Sequence, residues 1–71
     1  MVRLEWSGPP GRGARAEVLD LGGRHVRAFG QSGAAIWDGR DEGGRRVPAG
    51  VYLARVTSGT ESITRKLIWL P

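Results

Sequence analysis

A hydrophobic period of two, interrupted by Gly or Pro every few residues, constrains this chain more than any other feature. "VRLEW" sets Val2, Leu4 and Trp6 on one face and Arg3 and Glu5 on the other. "ARAEVLDL" sets Ala14, Ala16 and Val18 against Arg15 and Glu17. "HVRAF", "AAIWD", "GVYLARV" and "ITRKLIWL" are further short runs of strand-forming residues. Side chains of a strand point alternately to opposite faces, so this pattern predicts strands with one buried side. No window of helical length keeps helical spacing free of Gly or Pro. The fold class expected is all-β, a small antiparallel β-sandwich of six to seven strands, the seventh being a very short one at Arg45–Val47. Expected core residues are Leu4, Val18, Val26, Ile36, Trp37, Val51 or Tyr52, Leu53 or Val56, and Leu67.

The connections carry turn chemistry, because Pro fixes φ and Gly supplies positive φ. "SGPPGRG" (Ser7 to Gly13) is a turn, Gly22–Gly23 is the signal of a two-residue hairpin, "QSG" breaks the next run, and "TSGTES" is a turn before the last strand. No internal repeat or low-complexity segment appears. The final run, Ile63 to Leu70, is too apolar for a loose tail and is expected to complete a sheet.

Seventy-one residues make a single domain over 1–71. A chain this short buries about 60% of its unfolded surface, so the core is small. Without cysteine it has neither disulfide nor thiolate ligands. No apolar run is long enough to span a membrane, and no basic-then-apolar leader opens the chain. We read it as a domain cut from a longer parent that carries the targeting signal. The formal charge is +4, and Lys66 is the single lysine among eleven basic residues. The arginines are scattered and interleaved with acids. They predict a solvated basic face, and with no docking helix or row of exposed aromatics no nucleic-acid partner is expected.

The stretch "WDGRDEGGRRVPAGVYLARV" invites a chemical reading and then resists it. Its acids lack the D-x-D-x-D-G spacing and terminal bidentate Glu of a calcium loop. Its glycines do not precede a helix, as a phosphate loop requires. His25 is the one histidine and sits on an alternating strand. No catalytic, cofactor or metal site is expected. Asp38 and Asp41 are expected to bond backbone N–H groups within their turn. Trp37 becomes the bulky centre of the core, Glu42, Gly43 and Gly44 a loop tip, Pro48 a strand entry, Gly50 a bulge or reversal, and Tyr52 the start of a β-rich run.

"DLGGRHV", that block and "TRKLIWL" resemble, in order and spacing, the immunoglobulin-like domain of the flagellar hook-capping protein family. They are equally similar to the C-terminal sorting domain of the type IX secretion system. The resemblance spans about Val2 to Leu70. It falls on Gly23 and Arg24 in the first hairpin turn, on Trp37, Asp38, Gly39 and Asp41 in the central turn, on Pro48, Gly50 and Tyr52, and on Lys66, Leu67 and Ile68 in the last strand. The chain departs from the pattern at Leu19, where an aromatic is usual, and at Trp69 and Pro71. The resemblance implies a small sandwich of immunoglobulin or fibronectin type III kind with no active site. It implies a C-terminal accessory domain of a larger secreted or cell-surface bacterial protein, serving export or sorting, attachment or stabilisation. Its partners would be the parent's N-terminal domain and the secretion machinery, with Arg65, Lys66, Leu67 and Ile68 as the interaction edge. Two alternatives stand beside it: a hook-cap assembly module, and a carbohydrate-binding sandwich using Trp6 and Trp69 should the two terminal strands be neighbours.

Overall fold

The computed structural model describes residues 2–5, 14–30 and 33–70. Six strands run in chain order: β1 (Val2–Glu5), β2 (Arg15–Leu19), β3 (His25–Phe29), β4 (Ala34–Trp37), β5 (Gly50–Ser58) and β6 (Glu61–Trp69). No helix occurs among the described residues. The strands form two antiparallel sheets, one of order β1-β4 and one of order β3-β2-β5-β6. The Ser7–Gly13 turn, Trp6, Gln31 and Ser32 lie outside the described residues.

The period of two decides what each strand buries. Val18, Val26, Trp37 and Tyr52 are the buried centre, and Val2, Leu4, Phe29, Val47, Leu67 and Trp69 pack around it from both sheets. Ala14, Ala16 and Leu19 are buried as well. Trp37 has no exposed surface. Its ring meets Tyr52 edge-on at 5.2 Å and Trp69 at a tilt at 5.4 Å, geometries that aromatic quadrupoles favour. The indole Nε1 donates to the Arg40 carbonyl at 2.9 Å, so the polar atom of the core's largest side chain is satisfied.

Ile36, expected in the core, is 56% exposed. Neighbours on a strand cannot share a face, and Trp37 takes the inner one. Ile36 pairs with Arg3 on the outer side, while Val2 pairs with Trp37. Of the expected pair Val51 or Tyr52, Tyr52 is buried and Val51 faces out. Leu4, Leu53, Val56 and Leu67 are half-buried.

Three connections differ from expectation. The first hairpin does not turn on Gly22–Gly23 alone. Gly23 N–H donates to the Asp20 carbonyl at 3.0 Å, Asp20 N–H to the Arg24 carbonyl at 2.9 Å, and Gly23 takes φ 85°. That is a three-residue loop closed by a left-handed glycine. The "TSGTES" turn contracts to Gly59–Thr60, because β5 and β6 pair out to Ser58 and Glu61. Gly59 takes φ 61° and Thr60 does not have positive φ, the pattern of a two-residue turn with glycine first. The short strand at Arg45–Val47 is a single bridge between Arg40 and Arg46, extended by a bond from Val47 N–H to the Gly39 carbonyl at 2.8 Å.

Candidate functional site

Two turns share one construction, carried by a five-residue D-x-G-G-R string that occurs twice. "DLGGR" (Asp20–Arg24) and "DEGGR" (Asp41–Arg45) both close through their first carbonyl and a left-handed fourth residue. In the second, Gly44 N–H donates to the Asp41 carbonyl at 3.0 Å, Asp41 N–H to the Arg45 carbonyl at 2.8 Å, and Gly44 has φ 82°. The aspartate carboxylate locks each turn. Asp20 Oδ1 accepts from Arg24 N–H at 2.9 Å. Asp41 Oδ1 accepts from Gly43 and Arg45 N–H at 2.9 and 3.0 Å, the role expected of it. Asp38 does otherwise, facing the Arg40 guanidinium at 3.6 Å.

The residues of the central block are brought together as one packing unit. Gly39 is left-handed at φ 76° and lies under the Trp69 indole; a Cβ there would overlap two ring carbons and sit 2.7 Å from Nε1. Trp69 is therefore half-buried, held between Trp37 and the backbone of Gly39. The terminal strands are not neighbours, since β1 and β6 belong to different sheets. Tyr52 donates its hydroxyl to the Pro48 carbonyl at 2.6 Å, pinning the entry to β5. Burial, with a smaller push from Asp20, raises the Tyr52 pKa, so the hydroxyl stays a donor. Gly50 has φ 152° where β5 begins.

Glu42 does what no local sequence signal announces. Val18 pairs with Arg27 and Leu19 with His25, so Val26 is an extra residue on β3. Its carbonyl points away from β2 and accepts Glu42 N–H at 3.0 Å. The Glu42 carboxylate takes the next outward group, the Ala28 N–H. The 38–47 hairpin thereby covers the free edge of β3. The Ala28 bond lowers the Glu42 pKa against slight desolvation, helped by His25 and Arg27. His25 places Nδ1 3.2 Å from Glu17 and Nε2 3.5 Å from Glu42. Burial pushes the Glu17 carboxyl up, but Arg55 and His25 more than offset it and hold it below its ordinary value. A shallow groove of about 240 Å³ opens beside this network, lined by Arg15, Glu17, His25, Phe29 and Thr57 among others. Among the described residues no group of three or more His, Cys, Asp or Glu is arranged to hold a metal ion. No described helix is long and apolar enough to cross a membrane.

At the opposite side of the four-stranded sheet the edge is bare among the described residues. β6 pairs only with β5, residue for residue from Glu61–Ser58 to Trp69–Gly50. Arg65, Lys66 and Ile68 are exposed along it and Leu67 is turned into the core. No family model, curated protein or solved structure matches the chain.

Proposed function

We propose that this chain is an immunoglobulin-like accessory domain of a secreted or cell-surface bacterial protein. It is non-catalytic and serves export, attachment or stabilisation of the parent. The observation that carries the reading is the open β6 edge, ordered to Trp69 and bearing exposed Arg65 and Lys66. A strand edge offers unpaired backbone groups that a receptor reads by strand addition, with side chains giving specificity. Two features support the immunoglobulin or fibronectin type III kind of sandwich. The orders β3-β2-β5-β6 and β1-β4 correspond to C′-C-F-G and B-E when the strands are lettered B, C, C′, E, F, G. The Tyr52 hydroxyl bond to a carbonyl four residues upstream resembles the tyrosine corner of strand F. A hook-cap type of assembly module is the second reading, favoured by the same edge. The packing of Trp69 on Trp37 and Gly39 weighs against a carbohydrate platform.

The test is export of a reporter fused to this chain in a host with the type IX machinery. Arg65→Gln with Lys66→Gln is expected to leave the fold intact and cut the exported reporter several-fold. Normal export of that variant ends the charge-read edge. Normal export after removal of residues 63–71 ends the sorting role and leaves a structural accessory domain.

A further inference from the structure

The two edges of the four-stranded sheet are treated differently. Glu42 closes the β3 edge by taking Ala28 N–H with its carboxylate and giving its own N–H to Val26. Among the described residues nothing does this for β6. Backbone groups of an antiparallel strand alternate between its two sides, which fixes what β6 leaves open. Ala28 N–H points outward from β3, and Ala28 pairs with Glu17, so Glu17 turns its groups to β5. Glu17 pairs with Arg55, so Val56 and Ala54 turn theirs to β6. Their partners Ile63 and Arg65 are thus bonded inward. Ser62, Thr64 and Lys66 present free N–H and C=O groups to the outside.

The side chains of this stretch, Glu-Ser-Ile-Thr-Arg, are complementary to themselves when the run is reversed. Ile63 is 61% exposed although it lies on the same face as Leu67 and Trp69. Glu61 and Arg65 flank it two residues away on that face, both exposed, and among the described residues neither makes an ion pair. We propose that β6 pairs antiparallel with β6 of a second copy of this chain about a two-fold axis at Ile63. In that register Ser62 and Thr64 of the two copies exchange backbone bonds. Ile63 meets Ile63 across a non-hydrogen-bonded pair, where side chains approach most closely. Each Glu61 stands opposite Arg65 of the other copy. A two-fold pair must match outward-facing residues with each other, and of the registers this permits only the one at Ile63 sets Glu61 against Arg65. Centring on Arg65 or Lys66 sets like charges directly opposite, which destabilises a sheet pair. The dimer is independent of the export reading.

Sedimentation velocity at rising concentration, up to millimolar, tests it by charge exchange. The wild-type chain is expected to dimerise reversibly. Glu61→Arg and Arg65→Glu each turn two attractive pairs per dimer into repulsive ones and are expected to weaken association about tenfold. The double variant E61R/R65E is expected to recover it, and the two single variants, mixed, to associate with each other more tightly than either does with itself. Thr64→Pro, which removes an outward N–H from an edge strand, is expected to abolish dimers while leaving the circular dichroism spectrum unchanged. A monomer at millimolar concentration, or a dimer indifferent to the charge exchange, overturns the proposal. Lys66→Gln separates the two edge readings, because it leaves the dimer intact and touches only export.

Discussion

Replacing Gly39 with alanine is expected to damage this domain more than any other single-carbon addition. Two independent effects act at that residue. Its backbone lies at φ 76°, a left-handed conformation that costs an L-residue about 1–2 kcal/mol. The added methyl also lands in the Trp69 indole, which is itself packed against Trp37. Overpacking of that kind costs about 1–3 kcal/mol. The sum, roughly 2–5 kcal/mol, is a large share of the 5–15 kcal/mol that holds an ordinary domain together. Denaturant unfolding followed by tryptophan fluorescence gives the number. A second background separates the effects: with Trp69→Leu the steric part vanishes and Gly39→Ala is expected to cost only the backbone strain, about 1–2 kcal/mol. A loss below about 0.5 kcal/mol in the wild-type background, or equal losses in both backgrounds, refutes the reasoning.

Trp37→Ala is expected to cost about 3–5 kcal/mol, because it empties the centre of the core and orphans the Arg40 carbonyl; melting within a few degrees of wild type refutes it. Tyr52→Phe is expected to cost about 1–2 kcal/mol by leaving the Pro48 carbonyl without its donor, measured by the same unfolding titration. Glu17 and Glu42 have folded pKa values below their ordinary ones, so the stability they contribute is present above about pH 4.3 and is lost as pH falls through the folded values. Glu42→Gln is therefore expected to flatten the acid limb of the stability profile, and an unchanged limb contradicts the edge-clamp role.

Strand faces were legible in β1 and β2, where polar and apolar residues interleave, and less so in β5, whose Val51-Tyr52-Leu53-Ala54 run is apolar on both faces. Alternation failed at "AAIW", where apolar side chains stand on both faces and Ile36 could not be told from Trp37. The Asp41 turn is legible in its own five residues, and the same D-x-G-G-R string at Asp20–Arg24 carries the matching turn. What stayed hidden depends on distance along the chain. Glu42 reaches β3 across fourteen residues, Gly39 meets Trp69 across thirty, and neither contact leaves a local pattern. The partition into sheets is of the same kind. It put the terminal strands in different sheets, and it shows which edge of the larger sheet is clamped and, among the described residues, which is open.

Both roles proposed for this chain depend on β6 being an ordered edge strand with alternate amides facing away from β5. Amide hydrogen exchange, read residue by residue by NMR in dilute solution, measures this directly. Ile63, Arg65 and Leu67, bonded to β5, are expected to exchange slowly, and Ser62, Thr64 and Lys66 quickly. At high concentration Ser62 and Thr64 are expected to slow while Lys66 changes least. Uniformly fast exchange from Glu61 to Trp69 would mean that β6 is not an ordered strand, and uniformly slow exchange in dilute solution that its edge is already covered; either result contradicts the account.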